Sequence, residues 1–328
     1  MSVRWRQAVT TALYGPGGFF VGESAPADHF RTSALASPVF AAGVLRLVSA
    51  VDAALGSPPT VDVVDVGAGR GELLRTLVAL APPPLASRLR LTGVELAHRP
   101  SRTPESVAWR PDLPERVRGI LLAVEWLDDV PLDVAEVDAD GVPRYVLVDP
   151  PTGAETLGEP VTGEDAAWIA RWWDAAGLPP GARVELGGPR DAAWAAATST
   201  VERGLALAVD YGHMVDSRPA NGTLTGFRTG RQVPPVPDGT CDVTAHVAMD
   251  AVAAAAGTAY TLISQRDALR ALGVDGARPP LALASTDPAG YVRALAASST
   301  AAELLDPAGL GGHYWLLHPV GIPDPLSP

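Results

Sequence analysis

Seven residues hold the chemistry for which this chain is read first: Gly67, Gly69 and Gly71 after the run VDVVDV, and the acids Asp65, Glu95, Glu125 and Asp128. Three glycines at alternate positions let a backbone turn tightly and approach a ligand, and the helix-like GELLRTLVAL that follows presents free N–H groups at its start. Asp65 lies at the end of one strand-like run, and Glu95 ends the next, 28 residues after Gly67. A carboxylate there can accept both hydroxyls of a ribose. The pair therefore points to a cofactor that carries a nucleoside. A dinucleotide fingerprint would place glycine three positions after Gly69, but Glu72 stands there, and its charge at a helix start opposes a pyrophosphate. A phosphate-free cofactor with a cationic sulfonium, S-adenosylmethionine, fits better than NAD, although the glycine turn alone leaves an NAD-linked oxidoreductase open.

Glu125 and Asp128 follow the apolar run GILLAVE in the stretch LLAVEWLDDVPLDV. Two carboxylates beside a cofactor pocket can hold a guanidinium in a bidentate manner and fix its orientation for in-line attack. The same acids would equally serve as a solvated, helix-capping loop. His213 and His246 have the chemistry of general bases or of orienting hydrogen-bond groups. The six histidines show no HExxH spacing and Cys241 is the lone cysteine, so no metal site is expected and Cys241 reads as core filler. There is no GxSxG and no P-loop, which removes the usual parts of hydrolytic and phosphoryl-transfer enzymes.

The elements that must position these residues are legible as alternating strands and helices. Apolar runs at 61–66, 89–95, 119–125 and 204–212 alternate with helical patterns, which predicts a doubly wound α/β domain around a mostly parallel sheet. About 80 residues separate GILLAVE from GLALAVDYG, more than one crossover needs. Strand-like pieces at 133–138, 144–149 and 182–186 and helices at 163–176 and 190–202 fall within that span, so an insertion over the carboxyl edge of the sheet is expected. Residues 213–243 read as long irregular loops. Helices are expected at 244–256, 264–274 and 287–305, and a last strand at 313–319. Trp168, Trp172, Trp173 and Trp194 have the spacing of core or interface packing.

Composition bounds the rest. At 328 residues, 47% hydrophobic, the chain can bury a sizeable core. A net charge of −12 argues against nucleic acid and anionic membranes as partners. All 25 basic residues are arginine, a pattern that reads as codon bias in a GC-rich, actinobacterial-type genome. The stretch MSVRWRQAVTTALYGPGGFF lacks the apolar core of a secretory leader, so a cytoplasmic location is expected.

Read in order, ALYGPGGFF, DHFRTSALASPVF, VDVGAGRGELL, AVEWLDDVPLDV, LAVDYGHM, NGTLTGFR and DVTAHVAMDAV resemble the MidA family of class I methyltransferases, also called DUF185. Mitochondrial members of that family methylate an arginine of a complex I subunit and assist its assembly. The resemblance implies a Rossmann-like fold, with residues 1–50 as an N-terminal helical cover and 51–328 as the methyltransferase domain, its insertion at about 126–203. It implies S-adenosyl-L-methionine as cofactor, held by Asp65, Gly67, Ala68, Gly69, Gly71 and Glu95, with Thr32 and Ser33 in the cover. It makes Glu125, Asp128 and His213 the candidate catalytic residues and Tyr14, Asp210, Tyr211 and His246 the substrate side. A protein acceptor, arginine foremost, is implied, and a homodimer is an allowed assembly. Two departures stand out: Leu35 replaces the glutamate of a Ser-Pro-Glu run, and Val124 stands where the family has asparagine before the glutamate. They leave room for a cofactor-binding assembly factor with little or no transfer.

Overall fold

The structure is a computed structural model that describes residues 1–21, 38–173 and 177–327. Thr32, Ser33, Leu35 and His29, with residues 174–176 of the expected helix at 163–176, lie outside the described residues. The chain opens with a short strand β1 (Val3–Arg4) and helix α1 (Trp5–Tyr14), and resumes in α2 (Pro38–Ala54).

VDVVDV forms β2 (Val61–Val66), buried at every position, as a central strand between two layers must be. After α3 (Glu72–Leu80) and the short α4 (Pro83–Ala86) come β3 (Leu89–Val94), β4 (Val107–Arg110) and β5 (Val117–Val124). The insertion then contributes β6 (Asp133–Val137), β7 (Pro143–Asp149), β8 (Ala154–Pro160), α5 (Gly163–Trp172) and β9 (Arg183–Leu186). The return runs through α6 (Gly188–Ser199) to β10 (Val201–Asp210). Beyond it lie β11 (Gly212–His213), β12 (Thr225–Arg228), β13 (Arg231–Val233), β14 (Asp242–Thr244) and β15 (Val247–Ala248). The chain finishes with α7 (Met249–Ala255), β16 (Thr261–Ser264), α8 (Gln265–Ala271), α9 (Ala282–Thr286), α10 (Pro288–Leu304) and β17 (Tyr314–Val320).

The main sheet has seven strands in the order β16-β17-β10-β5-β2-β3-β4. β10, β5, β2, β3 and β4 pair in parallel, while β17 runs antiparallel between β10 and β16. Helices cover both faces: α2, α3, α8 and α10 pack on one through Leu47, Leu74, Leu269 and Leu304, and α6 and α7 on the other through Trp194 and Val252. The order reverses between β2 and β5, so ligands are expected beyond the carboxyl ends of these strands.

The insertion builds a second, antiparallel sheet of β1, β6, β7, β8 and β9. Its one face packs on α1 through Trp5, Val9 and Leu13, the other on Trp168, Ile169 and Trp173. Trp168, Trp173 and Trp194 are buried, as their spacing predicts, and Trp172 is half-buried.

Three expectations are corrected. Residues 213–243, expected as irregular loops, carry β11, β12, β13 and the start of β14, with β12–β13–β14 forming a small antiparallel sheet. The helix expected at 244–256 is α7 alone, because residues 242–244 and 247–248 are drawn into strands. β4, β8 and β16, none of them anticipated, complete the sheets.

Candidate active site

Because β2, β3, β5 and β10 are parallel, the residues that follow them emerge on one edge: Gly67, Glu95, Glu125 and Asp210–Tyr211. β17 is antiparallel and starts where β10 ends, with Tyr314 opposite Asp210, so His313 joins the same edge from the far end of the chain.

The glycine turn is built as its sequence requires. Gly67, Gly69 and Gly71 have φ of 70°, 54° and 71°, a left-handed backbone that glycine alone adopts at little cost. Gly67 is also sterically pinned, since a Cβ there would lie 2.7 Å from Trp126 Cδ1. At Gly69 a Cβ would meet no protein atom within 4 Å, so this backbone faces open space. The Gly69 amide donates to Glu95 Oε2 at 2.9 Å, and the Ala97 amide to Oε1 at 3.1 Å. Each carboxylate oxygen is thus oriented by a backbone amide and keeps lone pairs for hydroxyl donors. Burial pushes the Glu95 carboxyl above its usual range, against the pull of the Ala97, Gly69 and Leu96 amides. Behind it Asp65 is fully enclosed and pushed up to about 8, by burial first and then by the charges of Glu95 and Glu72. Ala68, also buried, closes the turn by accepting from the Gly71 amide.

Glu125 stands at the turn out of β5. Its amide still donates to Val209 O of β10 at 2.7 Å, but its φ is 51°, unusual for a residue with a side chain. Such strain costs on the order of 1–2 kcal/mol and is held only by firm surroundings. Its carboxylate is 5% exposed, with Oε1 at 3.7 Å from His313 Nδ1. Three residues on, the buried Asp128 accepts from the Tyr211 hydroxyl and, at 2.9 Å, from Thr244 Oγ1. The two hydroxyls lie 2.7 Å apart.

Asp210, at the end of β10, accepts at Oδ2 from the amides of Leu127 (3.0 Å) and Asp128 (3.3 Å), which fixes the loop after β5. Asp129 and Asp242 bring their carboxyls into mutual contact, and the Tyr14 hydroxyl donates to Asp129 O at 3.0 Å. Burial pushes Asp128, Asp129, Asp210 and Asp242 all upward, Asp242 to about 8; neighbouring acids add to the rise in Asp129, Asp210 and Asp242.

The Tyr211 ring is flanked by His246 at 5.1 Å and His313 at 5.5 Å. Burial depresses both imidazoles, His313 to about 4, so both are neutral near pH 7. His213 is placed differently. Its Nδ1 lies 2.8 Å from Arg218 Nη1, its ring stands edge-on to Trp173, and burial with the Arg218 charge brings it down to about 3. It is an anchored, neutral ring on the α5–α7 side, in line with an orienting role.

The structure thus brings together Asp65, Gly67, Ala68, Gly69, Gly71 and Glu95 as one pocket wall, and Tyr14, Glu125, Asp128, Asp210, Tyr211 and His246 as the other. Sequence reading missed Asp129, Asp242, Thr244 and His313 as members. Asp242 and Thr244 stand inside DVTAHV, whose histidine was already singled out. No described residues form a metal-binding group of three or more His, Cys, Asp or Glu side chains.

An open left-handed glycine turn with an amide-oriented acid beside it, on the carboxyl edge of a parallel sheet closed by one antiparallel strand, marks an α/β protein that binds a nucleoside-bearing cofactor. Residues 46–266 match the family described as "Putative S-adenosyl-L-methionine-dependent methyltransferase", and the chain belongs to that family. Two solved structures, both of COG1565 superfamily proteins from Burkholderia thailandensis, are similar along nearly the whole length. One, bound to S-adenosyl-homocysteine, is 26% identical with a TM-score of 0.79, over 98% of this chain and 89% of its own. The other, a native structure, is 25% identical with a TM-score of 0.76, over 98% and 88%. No curated protein matches the chain. The family's cofactor is S-adenosyl-L-methionine, which this pocket wall suits: the turn is open at Gly69, and Glu95 is aimed to accept hydroxyls. The oxidoreductase alternative falls with this match.

Proposed function

We propose that this chain transfers a methyl group to a nitrogen of a protein side chain, arginine foremost, in the cytoplasm. The observation that supports this reading most directly is the buried carboxyl group set beside the glycine turn: Glu125, Asp128, Asp129, Asp210 and Asp242. So many acids in a low-dielectric site favour a cationic acceptor over a neutral one. S-adenosylmethionine, when bound, supplies an electrophilic methyl on a sulfonium. The protein's part is positioning and electrostatics. Gly69 and Glu95 hold the nucleoside, Glu125 and Asp128 orient the acceptor nitrogen, and Asp128, whose proton affinity burial raises, can take up the proton it releases.

Isothermal titration with S-adenosylhomocysteine, with NADH as control, tests the pocket. Binding of the first alone is expected; binding of neither would sink the reading. Labelled cofactor then identifies the acceptor. Glu125→Ala is expected to abolish transfer while leaving cofactor affinity intact.

A second reading, a cofactor-binding assembly factor, is favoured by Val124, which is 8% exposed and packs in the core under the sheet, offering no polar group at the pocket. It expects an unaltered assembly phenotype for Glu125→Ala in cells.

A further inference from the structure

Arg190, in the first turn of α6, is 2% exposed. A buried guanidinium is ordinarily paired with a carboxylate, because an unpaired buried charge is costly. Four acids lie close enough for its charge to pull against their rise: Asp128, Asp129, Asp210 and Asp191. Yet among the described residues every hydrogen bond it makes goes to a backbone carbonyl. Nε donates to Val130 O at 3.1 Å, Nη1 to Ala245 O and His246 O at 2.9 Å each, and Nη2 to Asp128 O.

Two of these carbonyls belong to residues of the site, Asp128 and His246, and the other two to their neighbours. The planar fork therefore ties the loop after β5 to the segment after β14, which the sequence separates by more than a hundred residues. The far side of that segment is held too: the His246 amide donates to Thr223 Oγ1 at 2.8 Å, and Thr223 donates through its own amide and hydroxyl to the buried Glu185. Because the guanidinium satisfies itself on carbonyls, it offsets the acids through space and takes up none of their oxygens itself. Asp128 Oδ1, buried and without a hydrogen-bond partner among the described residues, is one such oxygen.

We propose that Arg190 is the positioning residue of this site: its guanidinium fork locks the Asp128 and His246 peptides into one frame while keeping the carboxylates open to an incoming cationic acceptor. The geometry sets the requirement. Five donors in a rigid plane reach four carbonyls from two segments, which lysine, with three donors on a flexible stem, does not reproduce. Charge balance alone would be met by either residue.

The acceptor part of this inference rests on the methyl-transfer reading, so the experiment has an arm that does not. In the wild-type protein with ¹⁵N-labelled arginine, the clamp expects one side chain with separately resolved Nη–H resonances, assigned to Arg190 by its loss in Arg190→Lys. Motionally averaged Nη signals from every arginine, an outcome that needs no variant, or resolved Nη signals that all persist in Arg190→Lys, would overturn the clamp. In Arg190→Lys, unchanged S-adenosylhomocysteine affinity with displaced His246 ring resonances is expected; His246 resonances identical to wild type would overturn the inference. Where an acceptor is in hand, Arg190→Lys should lower kcat/KM by roughly tenfold or more, as a misplacement near 1 Å does, and wild-type kinetics in that variant would again overturn it. A protein that transfers no methyl group, but whose His246 moves in Arg190→Lys, defeats the functional reading and leaves the clamp standing.

Discussion

Gly67 and Gly69 share a left-handed backbone but differ in what an added methyl would strike, and this separates their roles. At Gly67 the Cβ would be 2.7 Å from Trp126, so Gly67→Ala combines strain with a clash inside the protein. At Gly69 it would meet no protein atom within 4 Å. Thermal melting should show Gly67→Ala losing more stability than Gly69→Ala, whose cost is the backbone strain of about 1–2 kcal/mol. Titration with S-adenosylhomocysteine should show Gly69→Ala losing affinity out of proportion to that small cost. Equal stability losses, or an unaffected cofactor in Gly69→Ala, would contradict the assignment of Gly69 to the ligand face. The buried acids make a second expectation. The folded-state pKa of Asp65 is raised from 3.8 to about 8. The unfolded chain therefore releases a proton that the folded chain keeps, and stability falls as pH rises between those two values. One such group contributes a slope of about 1.4 kcal/mol per pH unit. Asp65→Asn stays neutral throughout, so urea unfolding across that window should show a shallower decline than wild type. Asp242, raised in the same direction, adds to the slope and should behave likewise in Asp242→Asn.

At the scale of elements, the strands of the parallel core were legible because they are buried on both faces and read as apolar runs; β2 is buried at all six positions. The insertion's β6 and β9 are buried at most positions, and β7 buries three of its seven around an apolar run, so these were legible too. β8 was not: AETLGEP is exposed or half-exposed along its length, so its pairing with β7 leaves no hydrophobic pattern. β12 and β13 escaped notice because each is short and one residue at most is buried, so no apolar pattern shows. Their turn did leave a mark. Arg228 pairs with Arg231, and Thr229 and Gly230 between them have φ of 49° and 75°, the geometry of a type I′ hairpin. A β-branched residue suits the first of those positions poorly, whereas asparagine tolerates it. Thr229→Asn should raise the denaturation midpoint by up to about 1 kcal/mol of stability; a lower midpoint would show that Thr229 earns its place through contacts instead. His313 was missed for a topological reason. Its strand had to be known as antiparallel before its start could be placed beside the ends of β5 and β10.

The whole molecule carries a net charge of −12, and the edge that follows β5 and β10 gathers buried acids around Arg190. A field of that sign draws cations toward the pocket and repels polyanions. The two ligands of the proposed reaction should answer to salt differently. S-adenosylhomocysteine has no net charge near neutrality and, in the proposed site, would be held by short contacts at Gly69 and Glu95, so its affinity should change little as ionic strength rises. An arginine-bearing acceptor approaches through the long-range field, which is screened beyond about 10 Å at 0.1 M salt. Its KM should therefore climb with added salt while kcat, set by contacts inside the buried site, holds steady. Titrating both ligands across the same salt series makes the cofactor an internal control for any general loss of structure. Parallel weakening of the two would place the cause in the fold, and a salt-independent acceptor KM would mean that the carboxyl cluster does not meet a cation, removing the main support for arginine as the methylated side chain.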